Sequence, residues 1–260
     1  MTLDSTMIGF SQRVRVEWLQ YTANLVLAGN TKEEISAALQ VYLKDKLSVG
    51  GSAVRGNREK AITILLKVWV NPKDELKGFQ KAGIDLLRDP PREFHTAVHW
   101  GMTMATYPFW GAVAEQTGRL LRIQGTTSAS QIQRRVREQF GERETVSRAA
   151  RRIIRSFIDW EVLTETQRKG VYQQGMNLKI NNPMLVAWLI EALLHAQSDG
   201  SSSLKELLHS TTMFPFQLMP IMADNLRSLS PRLEVHRQSL DEDLGILRKD
   251  TICFLSKENL

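Results

Sequence analysis

The sequence predicts a mostly α-helical protein in three segments: a helical bundle over residues 1–106, three helices and a β-hairpin over 107–180, and a mainly helical C-terminal segment over 181–260. Three observations predict it. Apolar residues recur at i, i+3, i+4 and i+7 along most of the chain, the period of helices buried on one side. Helix-stopping residues punctuate that period at Gly29-Asn30, Pro72, Pro90-Pro91, Gly125, Gly141 and Asn181-Asn182-Pro183. Two adjacent β-prone runs, 161–166 and 171–174, flank the turn Gln167-Arg168-Lys169-Gly170, the pattern of a hairpin.

In the first segment, 10–28 reads as a helix with Phe10, Val14, Trp18, Leu25 and Val26 towards a core. Thr31 and Glu34 form a capping box for a helix carrying Ile35, Leu39, Leu43 and Leu47. A loop over 48–57 precedes a helix with Ile62, Leu65, Leu66 and Trp69. Two more helices flank Pro90-Pro91, one with Leu76, Phe79 and Leu87, the other with Phe94, Val98 and Met102. The loop has Gly51 and Gly56 at phosphate-loop spacing. Asn57 and Arg58 stand where Lys and Ser or Thr belong, so it is a connecting loop, with Arg55, Arg58 and Lys60 as a small satellite patch. His95 and His99, four apart, have metal-ligand spacing but no third ligand, which favours a structural role.

Charge is concentrated in the middle. Residues 119–155 hold ten arginines against Glu138, Glu142 and Glu144, a net of +7; the whole chain is +6, so the remainder is −1. From Val146 onward, Val146, Ala149, Ala150, Ile153, Ile154 and Phe157 form one apolar stripe. Ser147, Arg148, Arg151, Arg152 and Arg155 form the opposite face of that helix. Like charges at this spacing repel, and a polyanion along the face would relieve them. A second amphipathic helix precedes it, with Thr126, Thr127 and Ser128 as cap residue types, Ile132, Val136 and Phe140 inward, and Gly141 at its end.

Three helices followed by a hairpin with a basic tip resemble a winged helix-turn-helix over residues 107–179. The resemblance implies that the third helix enters the DNA major groove and that the hairpin wing touches the backbone. On this chain it makes Ser147, Arg148, Arg151, Arg152 and Arg155 candidates for the groove. Arg134, Arg135, Arg143, Arg168 and Lys169 become candidate phosphate contacts. The overall plan, with Tyr107-Pro108-Phe109 opening the first of these helices, is also similar to the BrxA-type proteins of bacterial phage-exclusion systems. That similarity implies a DNA-binding accessory component of antiviral defence, and it carries over no site residue.

The C-terminal segment suggests a degenerate second copy of the same plan. A helix with Met184, Ala187, Trp188 and Leu193 inward leads to a flexible link over 198–203 and a short helical segment over 204–209. Phe214-Pro215-Phe216 then opens a helix through Leu226, as Tyr107-Pro108-Phe109 does earlier, and 233–236 is a strand. Residues 202–228 balance Lys205 and Arg227 against Glu206 and Asp224, so this copy suits a protein partner better than DNA. The acidic run Asp241-Glu242-Asp243 reads as a solvated terminus, with an autoinhibitory contact to the arginines as the sharper option.

No nucleophile–base pair, carboxylate cluster or glycine-rich loop at a strand end is legible. Asp159 and Glu161 read as a helix-end salt-bridging pair, not as a nuclease centre. The expectation is a non-enzymatic double-stranded DNA-binding protein without a cofactor. The alternative is an adaptor whose basic face meets an acidic protein. No apolar run reaches the roughly 20 residues of a membrane span, the first residues lack a signal-peptide pattern, and Cys253 is the single cysteine, so a cytoplasmic setting is expected.

Overall fold

The computed structural model describes residues 8–47, 56–88, 91–197, 199–239 and 242–248. The protein is mostly helical, with small sheets. Among the described residues no helix is long and apolar enough to cross a membrane.

Five helices make up the first segment: α1 (Val16–Leu27), α2 (Lys32–Tyr42), α3 (Asn57–Trp69), α4 (Lys77–Arg88) and α5 (His95–Thr106). Thr31 and Glu34 do form a capping box, Thr31 N–H donating to Glu34 Oε2 at 2.7 Å and Glu34 N–H to Thr31 Oγ1 at 3.3 Å. The expected helix from residue 10 begins only at Val16. Phe10 and Val14 are buried all the same, on an extended strap leading into the bundle. Likewise α2 stops at Tyr42, with Leu43 buried just beyond it and Leu47 half-buried. Most of the 48–57 loop, including Gly51 and Arg55, lies outside the described residues; Asn57 already belongs to α3, and Arg58 Nη1 donates to the Gln40 carbonyl at 3.3 Å.

His99 is a buried polar residue of this core. Trp69 Nε1–H donates to His99 Nδ1 at 3.1 Å, so the ring proton sits on Nε2 and faces Gln20 Oε1, also at 3.1 Å. Gln20 Oε1 lies 2.8 Å from His95 Nδ1 as well. Burial, and then the neighbouring His95, push the His99 imidazole down to about 3. Among the described residues no three His, Cys, Asp or Glu side chains group as metal ligands.

The middle segment runs α6 (Pro108–Gln124), β1 (Thr126–Ser128), α7 (Ala129–Phe140), α8 (Glu144–Asp159), β2 (Leu163–Glu165) and β3 (Val171–Gln174). The strands form an antiparallel sheet in the order β1-β3-β2, with Thr127 opposite Tyr172 and Thr164 opposite Gln173. The hairpin lies where the sequence predicts it, and β1 is an addition to the expected elements. Ser128 is both the last residue of that strand and the N-cap of α7, in a capping box with Gln131.

The last segment comprises β4 (Leu178–Ile180), α9 (Pro183–Ala196), β5 (Ser201–Ser203), α10 (Leu204–Leu208), β6 (Phe216–Leu218), α11 (Ala223–Leu229), β7 (Leu233–Ser239) and β8 (Glu242–Leu247). Four expectations fail here. Phe216 begins a strand paired in parallel with β4, not a helix; the helix is only α11, started by Met222. Ser201–Ser203 is a strand against β8, not a flexible link. The acidic run is no solvated terminus, since β8 begins at Glu242 and pairs with both β5 and β7. Met184 is 58% exposed, because α9 buries its ring of residues only from Leu185 onward.

From Leu185 to Leu194 every residue of α9 is buried, which an apolar run can sustain only with neighbours on all sides. It packs on α4, α5, α6, α11 and β8, and Trp188 stacks on Phe79 with ring centres 4.3 Å apart. The last segment also meets α6 backbone to backbone. A Cβ on Gly118 would lie 2.0 Å from the Thr211 carbonyl oxygen, so only glycine permits this approach. Inside α9, Glu191 is fully buried and held by Arg232, with Nε 2.6 Å from Oε1 and Nη2 2.9 Å from Oε2; Ser230 Oγ donates to Oε2 at 3.0 Å. Burial alone would raise this carboxyl, but His195 and Arg232 outweigh it and hold it below the usual carboxylate range.

Two outcomes follow. Arg232→Met strands the Glu191 carboxylate and should cost about 3–5 kcal/mol in urea unfolding; a loss below about 1 kcal/mol would show that the pair is not structural. The depressed His99 gives a contribution that is whole above the unfolded histidine pKa of about 6.5 and is lost as pH falls towards 3. The parent should therefore lose about 2 kcal/mol between pH 7 and pH 5, and His99→Gln should lose clearly less. Equal losses in both proteins would assign the acid sensitivity elsewhere.

Candidate nucleic-acid interface

The strongest concentration of outward positive charge lies on α8. Val146, Ala149, Ala150, Ile153, Ile154 and Phe157 are buried beneath it, so the opposite face is presented to solvent. Arg148, Arg151 and Arg155 are exposed on that face, with Ser147 and Arg152 half-buried among them. Arg148 is paired with Glu144, one turn back, at 2.6 Å. Among the described residues no carboxylate lies within ion-pair reach of Arg151, Arg152 or Arg155. Partial burial, and then repulsion from Arg148, lower the pKa of the Arg152 guanidinium. The repulsion inferred from the sequence spacing is thus present in the fold.

The remaining candidates divide by element. On α7, Arg134 and Arg135 share one carboxylate, Glu138, at 3.8 and 3.5 Å. These pairs are exposed and exchange readily with a stronger anion. Arg143 is the N-cap of α8 and gives it no side-chain cap; its Nη2 instead donates to the Phe140 carbonyl at 3.4 Å. Arg168 and Lys169 sit exposed at the tip between β2 and β3 without an ion pair among the described residues. That tip is shaped by Gly170 at φ +77°, whose N–H donates to Glu165 Oε1 at 2.5 Å.

The C-terminal turn of α8 is fastened by a strap that the sequence reading took for helix. Arg13 Nε and Nη2 both donate to the Asp159 carboxylate. Beside that pair, Val14 N–H donates to Ser156 Oγ at 3.0 Å, and Trp160 Nε1–H donates to the Val14 carbonyl at 3.0 Å. Asp159 therefore serves as an anchor whose partner is 146 residues away, a separation that leaves no local signal. Glu161, its expected companion, is exposed with φ +59°. The sequence reading also passed over Glu144, counting it only against the arginines, although it stands on the same exposed face.

Asp243 of the acidic run makes no ion pair with α8 among the described residues. Comparison of the chain with family models, curated proteins and solved structures finds no match.

Asp159→Ala should loosen the strap. Amides of residues 13–14 and of the last turn of α8 should exchange with solvent deuterium at least about tenfold faster, while those of α3 keep their protection. Unchanged exchange at Val14 and Trp160 would mean that the two buried hydrogen bonds hold the strap without the ion pair.

Proposed function

We propose that the protein is a non-enzymatic double-stranded DNA-binding protein, that residues 107–180 act as a winged helix-turn-helix, and that α8 is its recognition helix. The observation that carries this reading is the row Arg151, Arg152 and Arg155, outward on a helix fixed from beneath and unmatched by any acid of the same fold among the described residues. Such a row adds nothing to folding and has a use only against an external polyanion. The order of α6, β1, α7, α8, β2 and β3, with β3 central in the sheet, supports the winged reading, and the unpaired cations Arg168 and Lys169 sit where a wing meets phosphates.

Apart from the extra strand β6, the last segment follows that order as α9, β5, α10, α11, β7 and β8, again with the final strand central. Its α11 is short, and Arg227 is spent on Asp224 and the Val235 carbonyl. In this reading the second unit binds protein, and the resemblance to BrxA-type proteins suggests an accessory component of a bacterial phage-defence system. An acidic protein on α8 is the competing reading, and exposed acids already paired with Arg134, Arg135 and Arg148 favour it.

Fluorescence anisotropy on a labelled duplex separates the two. Affinity for duplex should fall by orders of magnitude between about 50 and about 200 mM salt. Arg151→Glu with Arg155→Glu should weaken it at least about a hundredfold while circular dichroism and unfolding stay unchanged. Duplex binding indifferent to the double variant would remove α8 as the contact surface.

A further inference from the structure

Within this cationic face one acid stands out. Glu144 is 73% exposed in the first turn of α8, and the other acid of the helix, Asp159, is taken by Arg13. An exposed carboxylate here repels phosphates, and an exposed ion pair with Arg148 adds little to stability. A helix dipole favours an acid in the first turn but does not require it to hold an arginine.

The geometry of the pair is specific. Arg148 Nε donates to Glu144 Oε1 at 2.7 Å, and Nη2 lies 2.6 Å from the same oxygen. One carboxylate oxygen thus occupies the inner edge of the guanidinium. The outer end, Nη1 with the second Nη2 hydrogen, keeps two parallel donors, and Glu144 Oε2 has no partner among the described residues. The pair therefore leaves two parallel donors and one acceptor oxygen open on one helical turn.

In the major groove a G·C pair offers the complement: acceptors at guanine N7 and O6, then a donor at cytosine N4. An A·T pair in the same position sets the adenine amino group against the guanidinium and the thymine O4 against the carboxylate, two like-against-like contacts. We infer that Glu144 and Arg148 form a single reading unit for a G·C base pair, the guanidinium end donating to guanine and the free carboxylate oxygen accepting from the cytosine amino group. Arg151, Arg152 and Arg155 then supply affinity and this pair supplies preference. The inference rests on the duplex-binding reading above and assigns Glu144 a role which that reading leaves open.

The test is a selection of bound duplexes from a randomised pool with the full chain, followed by anisotropy on duplexes differing at the selected pair. The parent should prefer G·C over A·T there by roughly 5- to 150-fold. Replacing that guanine by 7-deazaguanine should cost most of the preference. Glu144→Ala should lose the preference while binding unrelated duplex as tightly as the parent or tighter, because a negative charge leaves the face. Arg148→Ala should lose both preference and some general affinity. A Glu144→Ala protein that keeps the parent's preference, or a parent that binds all duplexes alike, overturns the inference while leaving α8 as a DNA surface. A parent that binds no duplex overturns both.

Discussion

Trp100, on α5, lies against rings from α6, from α8 and its end, and from the Phe214–Phe216 stretch. Its ring centre is 5.4 Å from Trp110 of α6, 5.0 Å from Phe157 of α8, 5.6 Å from Phe214 and 5.8 Å from Phe216. Trp160, just past α8, closes the cluster 4.9 Å from Trp110. Buried aromatics bring large contact area and a preferred tilt to each such pair. Through Phe157 the underside of the arginine helix is thus joined to the bundle, to α6 and to the strand that follows Pro215. The rest depends on this. A helix bearing Arg148, Arg151, Arg152 and Arg155 on one side opposes its own formation, and packing rather than propensity holds it.

Anchoring is uneven along α8. Its C-terminal turn has the Arg13–Asp159 pair, the Ser156 hydroxyl under Val14 and the Trp160 indole on the Val14 carbonyl. At its N-terminal end Arg143 provides no cap, and Glu144 and Thr145 are exposed while Val146 is buried. The N-terminal half is held from beneath by Val146, Ala149 and Ala150, while Glu144, Ser147 and Arg148 lie on its outer side.

How much of this was legible follows from range. The α8 face, the Gly141 stop, the Thr31 capping box and the hairpin all rest on neighbours within a few residues, and each could be placed from sequence. Strand β1 could not, since three residues carry no period and its partner Val171–Gln174 is more than forty positions on. Phe214-Pro215-Phe216 shares its pattern with Tyr107-Pro108-Phe109, yet pairing with Leu178–Ile180 turns it into strand; tertiary context overrides a local signal there. Glu191 hid inside an apolar helix because its partner Arg232 arrives from forty-one residues away. Asp159 is salt-bridged at a helix end, as expected, but its partner Arg13 lies 146 residues away and leaves no local signal.

Two stretches of similar element order differ in how their arginines are engaged. With β6 set aside, both run helix, strand, helix, helix, strand, strand, with the last strand in the middle of its three-stranded sheet. In the second, Arg227 turns its Nε to the Val235 carbonyl at 3.1 Å and stays within reach of Asp224, so its charge is consumed by its own fold. In the first, Arg151 and Arg155 are exposed and make no side-chain hydrogen bond or ion pair among the described residues. The same framework accommodates both arrangements, because the sheet and the buried stripe fix the helix and leave its outer face unconstrained. Substitutions on that outer face alone can therefore change the charge a helix presents without disturbing the framework beneath it.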